Sequence, residues 1–247
     1  SSTVSGGIQN KASCDYSSIL GGSGNTTNNN YSTIVGGCGN TTTGQYSFIG
    51  NGFNNTASGG YSTVNNGTCN TANLTWTTIN NGVFNKALCT NFTTVNNGTY
   101  NTVLGFKSSI NNGNCNTTSG VYSFINNGDR NTAVDCFSTV NNGKLNTASG
   151  CYSIVGNGQN NTTRCDYTFI GGGQCNTTCG AHSSVVGGVS NRAIGLCNFI
   201  GGGRCNSVFG NGSSILGGIF NTTISNYGTI LGGSGNTINH ELSAAYG

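Results

Sequence analysis

An apolar β-branched residue, a glycine and an asparagine return at fixed places every fifteen residues along this chain, and the stretch between them alternates in steps of two. Taking Tyr46 to Gly60, YSFIGNGFNNTASGG, as slots 1 to 15, slot 4 is Ile or Val in all sixteen copies. Ile19, Ile34 and Ile49 are examples of slot 4, Gly22, Gly37 and Gly52 of the invariant slot 7, and Asn25, Asn40 and Asn55 of the invariant slot 10. The register slips once, by a one-residue insertion at Thr90 or Asn91, so the whole of 1–247 reads as a single repeat array.

A fifteen-residue unit is too short for a pair of helices and suits one coil of a β-solenoid, whose short strands stack in parallel sheets. Slots 1 to 5 are rich in aromatic and β-branched residues and predict a first strand. Slots 6 and 7, Asn-Gly or Gly-Gly, predict a turn that uses glycine's freedom at positive φ. A second strand is expected over about slots 8 to 12, and slots 13 to 15 turn the chain back. The predicted class is therefore all-β, a β-solenoid of about sixteen coils with essentially no helix. Alternation places slots 2, 4, 10 and 12 inside, where small residues suit a thin coil, and stacked asparagines can hydrogen-bond along the array. At about 4.8 Å per coil, sixteen coils make a rod of roughly 75 Å.

Slots 1, 3 and 5 of the first strand are expected to face outward, and they are less polar than a free surface. Slot 1 is mostly Tyr, Phe or Trp, and slot 3 includes Phe48, Phe124, Ile154, Phe169 and Phe199. A long apolar stripe of this kind marks an interface, and self-association is the reading favoured over scattered surface aromatics.

Composition narrows the function. The 247 residues include 43 Gly, no Pro and 12 Cys, and charged residues are only 5%, against about 25% in ordinary soluble proteins. The net charge of +3 is scattered over different slots, which leaves no basic stripe for nucleic acid. No apolar run is long enough to span a membrane, and a chain that starts mid-pattern without Met reads as a mature product or a segment of something longer. The five acids and two histidines are scattered along the array, His182 standing in an aromatic slot, so no catalytic constellation, metal site or cofactor is expected. Cys136 and Cys151 share slot 15 on neighbouring coils, which brings their Cα atoms within disulfide reach; Cys165 and Cys179, in slots 14 and 13, are a looser pair. The cysteine count moderately favours an oxidising, extracellular setting. Glycosylation sequons recur as a by-product of the repeat: those at slot 10, such as Asn25 and Asn40, fall inside, and those at Asn54, Asn66 or Asn160 fall outside.

Units such as YSTIVGGCGNTTTGQ, Tyr31 to Gln45, resemble the YadA-type head repeats of trimeric autotransporter adhesins and related repeats in bacterial, phage and giant-virus fibre proteins. The likeness covers nearly the whole chain and is carried best by slots 4 and 7. It implies a left-handed parallel β-roll, a homotrimer, and a place at the projecting head or shaft of an extracellular, cell-surface or virion fibre that contacts a host-surface receptor or glycan. The sequence departs from the adhesin pattern in its repeat length, its slot-10 asparagine and its many cysteines. The expected function is a non-catalytic structural or adhesive module. The alternative is an ice-binding β-solenoid, since slot 11 is Thr in twelve copies, although variable residues at slots 9 and 13 spoil a flat threonine array.

Overall fold

The computed structural model describes residues 1–89 and 91–247. The described residues contain strands and turns and no helix, and they form two compact units, Ser1–Tyr122 and Ser123–Gly247. Each unit is a β-solenoid with the same fifteen-residue coil.

Every strand is two residues long and pairs in parallel with its counterpart one coil away. In the first unit Thr33–Ile34 pairs with Phe48–Ile49, and Thr41–Thr42 with Thr56–Ala57. In the second, Phe124–Ile125 pairs with Thr139–Val140, and Thr132–Ala133 with Thr147–Ala148. Slots 3–4 and 11–12 thus build two parallel sheets, and a third line of contact runs through single bridges at slot 8, such as Cys38 to Phe53 and Gln159 to Gln174.

These strands are shorter than the alternation predicts, and the reason is the turning that a fifteen-residue coil demands. Slot 1 belongs to a corner and not to the first strand: Tyr46, Tyr61, Tyr152 and Tyr167 all lie at φ between 56° and 58°. Slot 9 forms another such corner, with Asn54 at 52° and Cys175 at 57°. In this left-handed conformation the peptide reverses, so the N–H points to the preceding coil. Tyr61 N–H donates back to the Gln45 carbonyl at 2.9 Å and Asn54 N–H to that of Cys38 at 2.9 Å, whereas Phe48 and Thr56 donate forward to Ser62 and Asn70.

Slots 2, 4, 10 and 12 fill the interior. Ile49, Asn55 and Ala57 have no exposed surface and Ser47 has almost none, and in the second unit Ile170, Val185, Ile200, Ile215 and Ile230 stack as one apolar column beside Ala193 and Val208. In several coils the slot-2 hydroxyl closes the corner on itself, as in Ser47 Oγ to the Gly44 carbonyl at 2.6 Å and Thr168 Oγ1 to that of Cys165 at 2.7 Å, whereas the hydroxyls of Ser62 and Thr93 in the same slot are buried without a partner. Some slot-12 hydroxyls are less well served, and Thr42 Oγ1 is buried without a hydrogen-bond partner.

The slot-10 asparagine ties its own coil to the next. Asn55 Nδ2 donates to the Asn51 carbonyl in its own coil at 3.2 Å and to the Gly67 carbonyl in the next at 2.8 Å, and its Oδ1 accepts the Asn70 N–H at 3.0 Å. The hydrogen bonds therefore run along the array from side chain to backbone. A buried amide so fully satisfied carries no desolvation penalty of the kind an isolated one would. Amide-to-amide bonding does occur, but at slot 5, where Asn65, Asn80, Asn96 and Asn111 are linked at 2.7 to 2.8 Å.

Pairing crosses the slip without loss. Thr78 pairs with Thr94 and Lys86 with Thr102, sixteen apart, and Thr94 pairs with Ser109 at the usual fifteen. Of the two positions named for the insertion, Thr90 lies outside the described residues, and the exposed Asn91 accepts the Lys107 N–H at 3.4 Å.

Candidate interaction surface

The outward groups fall into separate rows because a corner and a strand point their side chains differently. At the slot-1 corner the rings stack on one another. Tyr16, Tyr31, Tyr46, Tyr61 and Trp76 have successive centroids 5.0, 4.8, 4.8 and 4.3 Å apart with interplanar angles of 5° to 11°. In the second unit Phe137, Tyr152, Tyr167 and His182 stack at 4.7 to 5.0 Å, so His182 continues the aromatic column. A non-glycine residue in a left-handed corner costs of order 1–3 kcal/mol. Each stacked pair returns about 0.5–1.5 kcal/mol, which offsets much of that cost and accounts for the aromatic preference. Where Lys107 takes the slot, its ammonium lies 5.9 Å from the Phe92 ring and 5.4 Å from those of Phe106 and Tyr122, a cation–π arrangement that keeps the column filled.

Slot 3 stands on the strand beside this corner. In the second unit, register places Phe124, Thr139, Ile154, Phe169, Ser184 and Phe199 on consecutive coils, with Ile154 directly opposite Phe169. Ile154, Phe169 and Phe199 are 38%, 41% and 39% exposed, and Phe124 is half-buried. Phe48 stands in the first unit between Thr33 and Thr63, half-buried. Its ring lies over Gly50, as the Phe169 ring lies over Gly171, because a slot-5 glycine leaves the strand surface open beside it. Slot 5 adds exposed Leu20, Val35, Val186, Leu216 and Leu231.

Cys136 and Cys151 are joined by a disulfide with Cα atoms 4.8 Å apart, one coil spacing. Asp166, in the same slot on the next coil, accepts the Cys151 N–H at 2.9 Å. Cys165 and Cys179 are near each other but unbonded. Burial pushes the Cys165 thiol up from its ordinary range, and the Cys179 thiol and Asp166 carboxylate push it further. Among the described residues no group of three His, Cys, Asp or Glu side chains is placed to hold a metal, and no helix is long and apolar enough to cross a membrane. The sequon asparagines of slot 10, including Asn25, Asn40 and Asn116, are buried, whereas Asn54, Asn66 and Asn160 are exposed.

The aromatic corners are the feature that alternation alone misses. Their signal is the company the aromatics keep: Gly24, Gly39 and Gly235 take slot 9 and Gly212 takes slot 1, all at positive φ.

No protein-family model and no curated protein matches this chain.

Proposed function

We propose that this chain is a non-catalytic structural or adhesive module of a surface fibre, extracellular or on a virion, that assembles with copies of itself and presents its outer faces to a host-surface receptor or glycan. The reading rests on the half-exposed apolar rows at slots 3 and 5, repeated coil after coil beside an aromatic corner, together with the likeness of the repeat to YadA-type adhesin heads. An apolar surface of this extent in so weakly charged a chain favours association. Burying one slot-3 Phe against a partner contributes roughly 1.5–3 kcal/mol per chain. A homotrimer is the assembly that the resemblance implies, each ring then meeting its symmetry mates near an axis.

Light scattering on the wild type and on Phe124→Asp/Phe169→Asp tests this. The wild type is expected to be oligomeric, and the double variant, which sets like charges against each other in the seam, to dissociate while keeping its β signal. A monomeric wild type, or a variant that assembles unchanged, overturns the self-association. The in-register threonine row at slot 11, such as Thr26, Thr41, Thr56 and Thr71, supports ice binding as the second reading. Lys86 and Arg192 interrupt that row, which makes it the weaker one, and thermal hysteresis at the wild-type concentration would reverse the order.

A further inference from the structure

The slot-1 corner carries phenols as well as ring faces. Tyr16, Tyr31, Tyr46 and Tyr61 form an unbroken run of four, and Tyr152 with Tyr167 forms a pair in the second unit. All six are between 41% and 60% exposed, so their edges and hydroxyls are open to solvent although their faces are covered by their neighbours. Parallel register brings each ring's ortho carbons beside those of the next, and the exposed side chains have room to tilt out of the stack. The adjoining slot 15 already carries one covalent tie between coils, Cys136 to Cys151.

We propose that these neighbouring tyrosines are sites of oxidative coupling, forming dityrosine staples from coil to coil within one chain when hydrogen peroxide is present as the oxidant and a peroxidase activates it. Each phenol gives up one hydrogen atom, and the two hydrogen atoms reduce one peroxide to two waters. The two phenoxyl radicals join through their ortho carbons. Each of those carbons then loses its proton, which returns to the ring oxygen, so a staple costs the chain two hydrogens and changes nothing else in its composition. Stacking favours the intrachain product, because a second radical formed in the same column lies one coil from the first, whereas a phenol on another chain must be met by diffusion. The inference does not depend on the fibre reading, since it concerns one chain.

The test is peroxidase and hydrogen peroxide on dilute protein, read by dityrosine fluorescence, denaturing electrophoresis and peptide mapping. The wild type should give a fluorescent product that migrates as a single chain, lighter by two hydrogens per staple, with links such as Tyr16 to Tyr31 and Tyr152 to Tyr167. The comparison is Tyr31→Phe/Tyr61→Phe/Tyr152→Phe, which keeps every ring in the column, as Phe92 and Phe137 do natively, but leaves no two adjacent phenols in either unit's stack. Seven of the ten tyrosines remain. Intrachain dityrosine should nevertheless fall at least about tenfold. A fall only in proportion to the tyrosines removed, links mapping to the isolated Tyr100, Tyr227 or Tyr246, or coupling solely between chains would each overturn the proposal. A second comparison, Tyr100→Phe/Tyr246→Phe, should leave the yield unchanged, and a loss there would equally defeat it.

Discussion

Gly52 stands in the invariant glycine slot, at φ +112°, with the next coil's Gly67 directly above it. A Cβ built there lies closer than 3.0 Å to the Gly67 oxygen and to Asn55 Nδ2, so Gly52→Ala confronts three separate costs. The backbone conformation is one that alanine resists, worth about 1–3 kcal/mol. Forcing the coils apart adds an overpacking cost of about 1–3 kcal/mol. Displacing the Asn55 amide strands buried polar groups, at about 1–3 kcal/mol. These effects share atoms and do not sum fully, so the expected loss is about 3–5 kcal/mol. Gly36→Ala is the internal control, because that neighbouring-slot glycine has an ordinary φ and its Cβ would meet nothing nearer than Asn51 Oδ1 at 3.7 Å. Its substitution should be neutral or stabilising by up to about 1 kcal/mol, through the unfolded chain. An array of this kind need not unfold in one step, so the informative assay is amide exchange at Asn70, whose N–H is held by Asn55 Oδ1, alongside urea unfolding. Exchange there should quicken by roughly two to four orders of magnitude in Gly52→Ala and little in Gly36→Ala. If the two variants behaved alike, the close approach of the coils at slot 7 would not be what demands glycine.

Asn55→Asp should destabilise by several kcal/mol at neutral pH, since it sets a buried carboxylate against the Asn51 and Gly67 carbonyls, while the exposed Asn54→Asp changes little; paired thermal melts decide, and equal shifts would refute the role of the Nδ2 donors. Thr42→Val removes a buried hydroxyl that has no partner, in a slot where Val103 and Val208 occur natively, and should raise stability by about 1 kcal/mol in urea titration, any loss counting against the burial argument. The Cys165 thiol should alkylate with a rate–pH profile displaced upward relative to free cysteine, because a raised pKa leaves less thiolate at any given pH. A profile coinciding with that of free cysteine, read by mass spectrometry after timed alkylation, would remove the burial and the charge repulsion as its causes.

The architecture was legible in the sequence because three slots admit so little choice. Ile49, Gly52 and Asn55 answer to an interior barely one side chain deep, a coil contact with no room for a methyl group, and a turn whose carbonyls need amide donors. The Cys136–Cys151 bond followed from slot arithmetic alone, since equal slots on neighbouring coils bring Cα atoms to 4.8 Å. The extent of the strands did not follow. Tyr46 and Phe48 both favour extended backbone by residue type, so alternation carried the strand through a position whose φ is +58°. What decides there is the need to turn a corner every few residues, a tertiary demand that propensity does not contain. The apolar rows were legible as composition, and the structure divides them into a strand row at Phe169 and a corner column at Tyr152.

The one-residue slip has a consequence for how such a gene can change. Pairing recovers at once between Thr94 and Ser109, because each coil reads only the coil before and the coil after it. Removing fifteen residues between equal slots of neighbouring coils, or copying them, would return every remaining side chain to the same kind of neighbour. A chain built this way can lengthen or shorten in whole layers without any core having to be redesigned. Unequal exchange, which ruins most globular proteins, becomes in this one a way of counting.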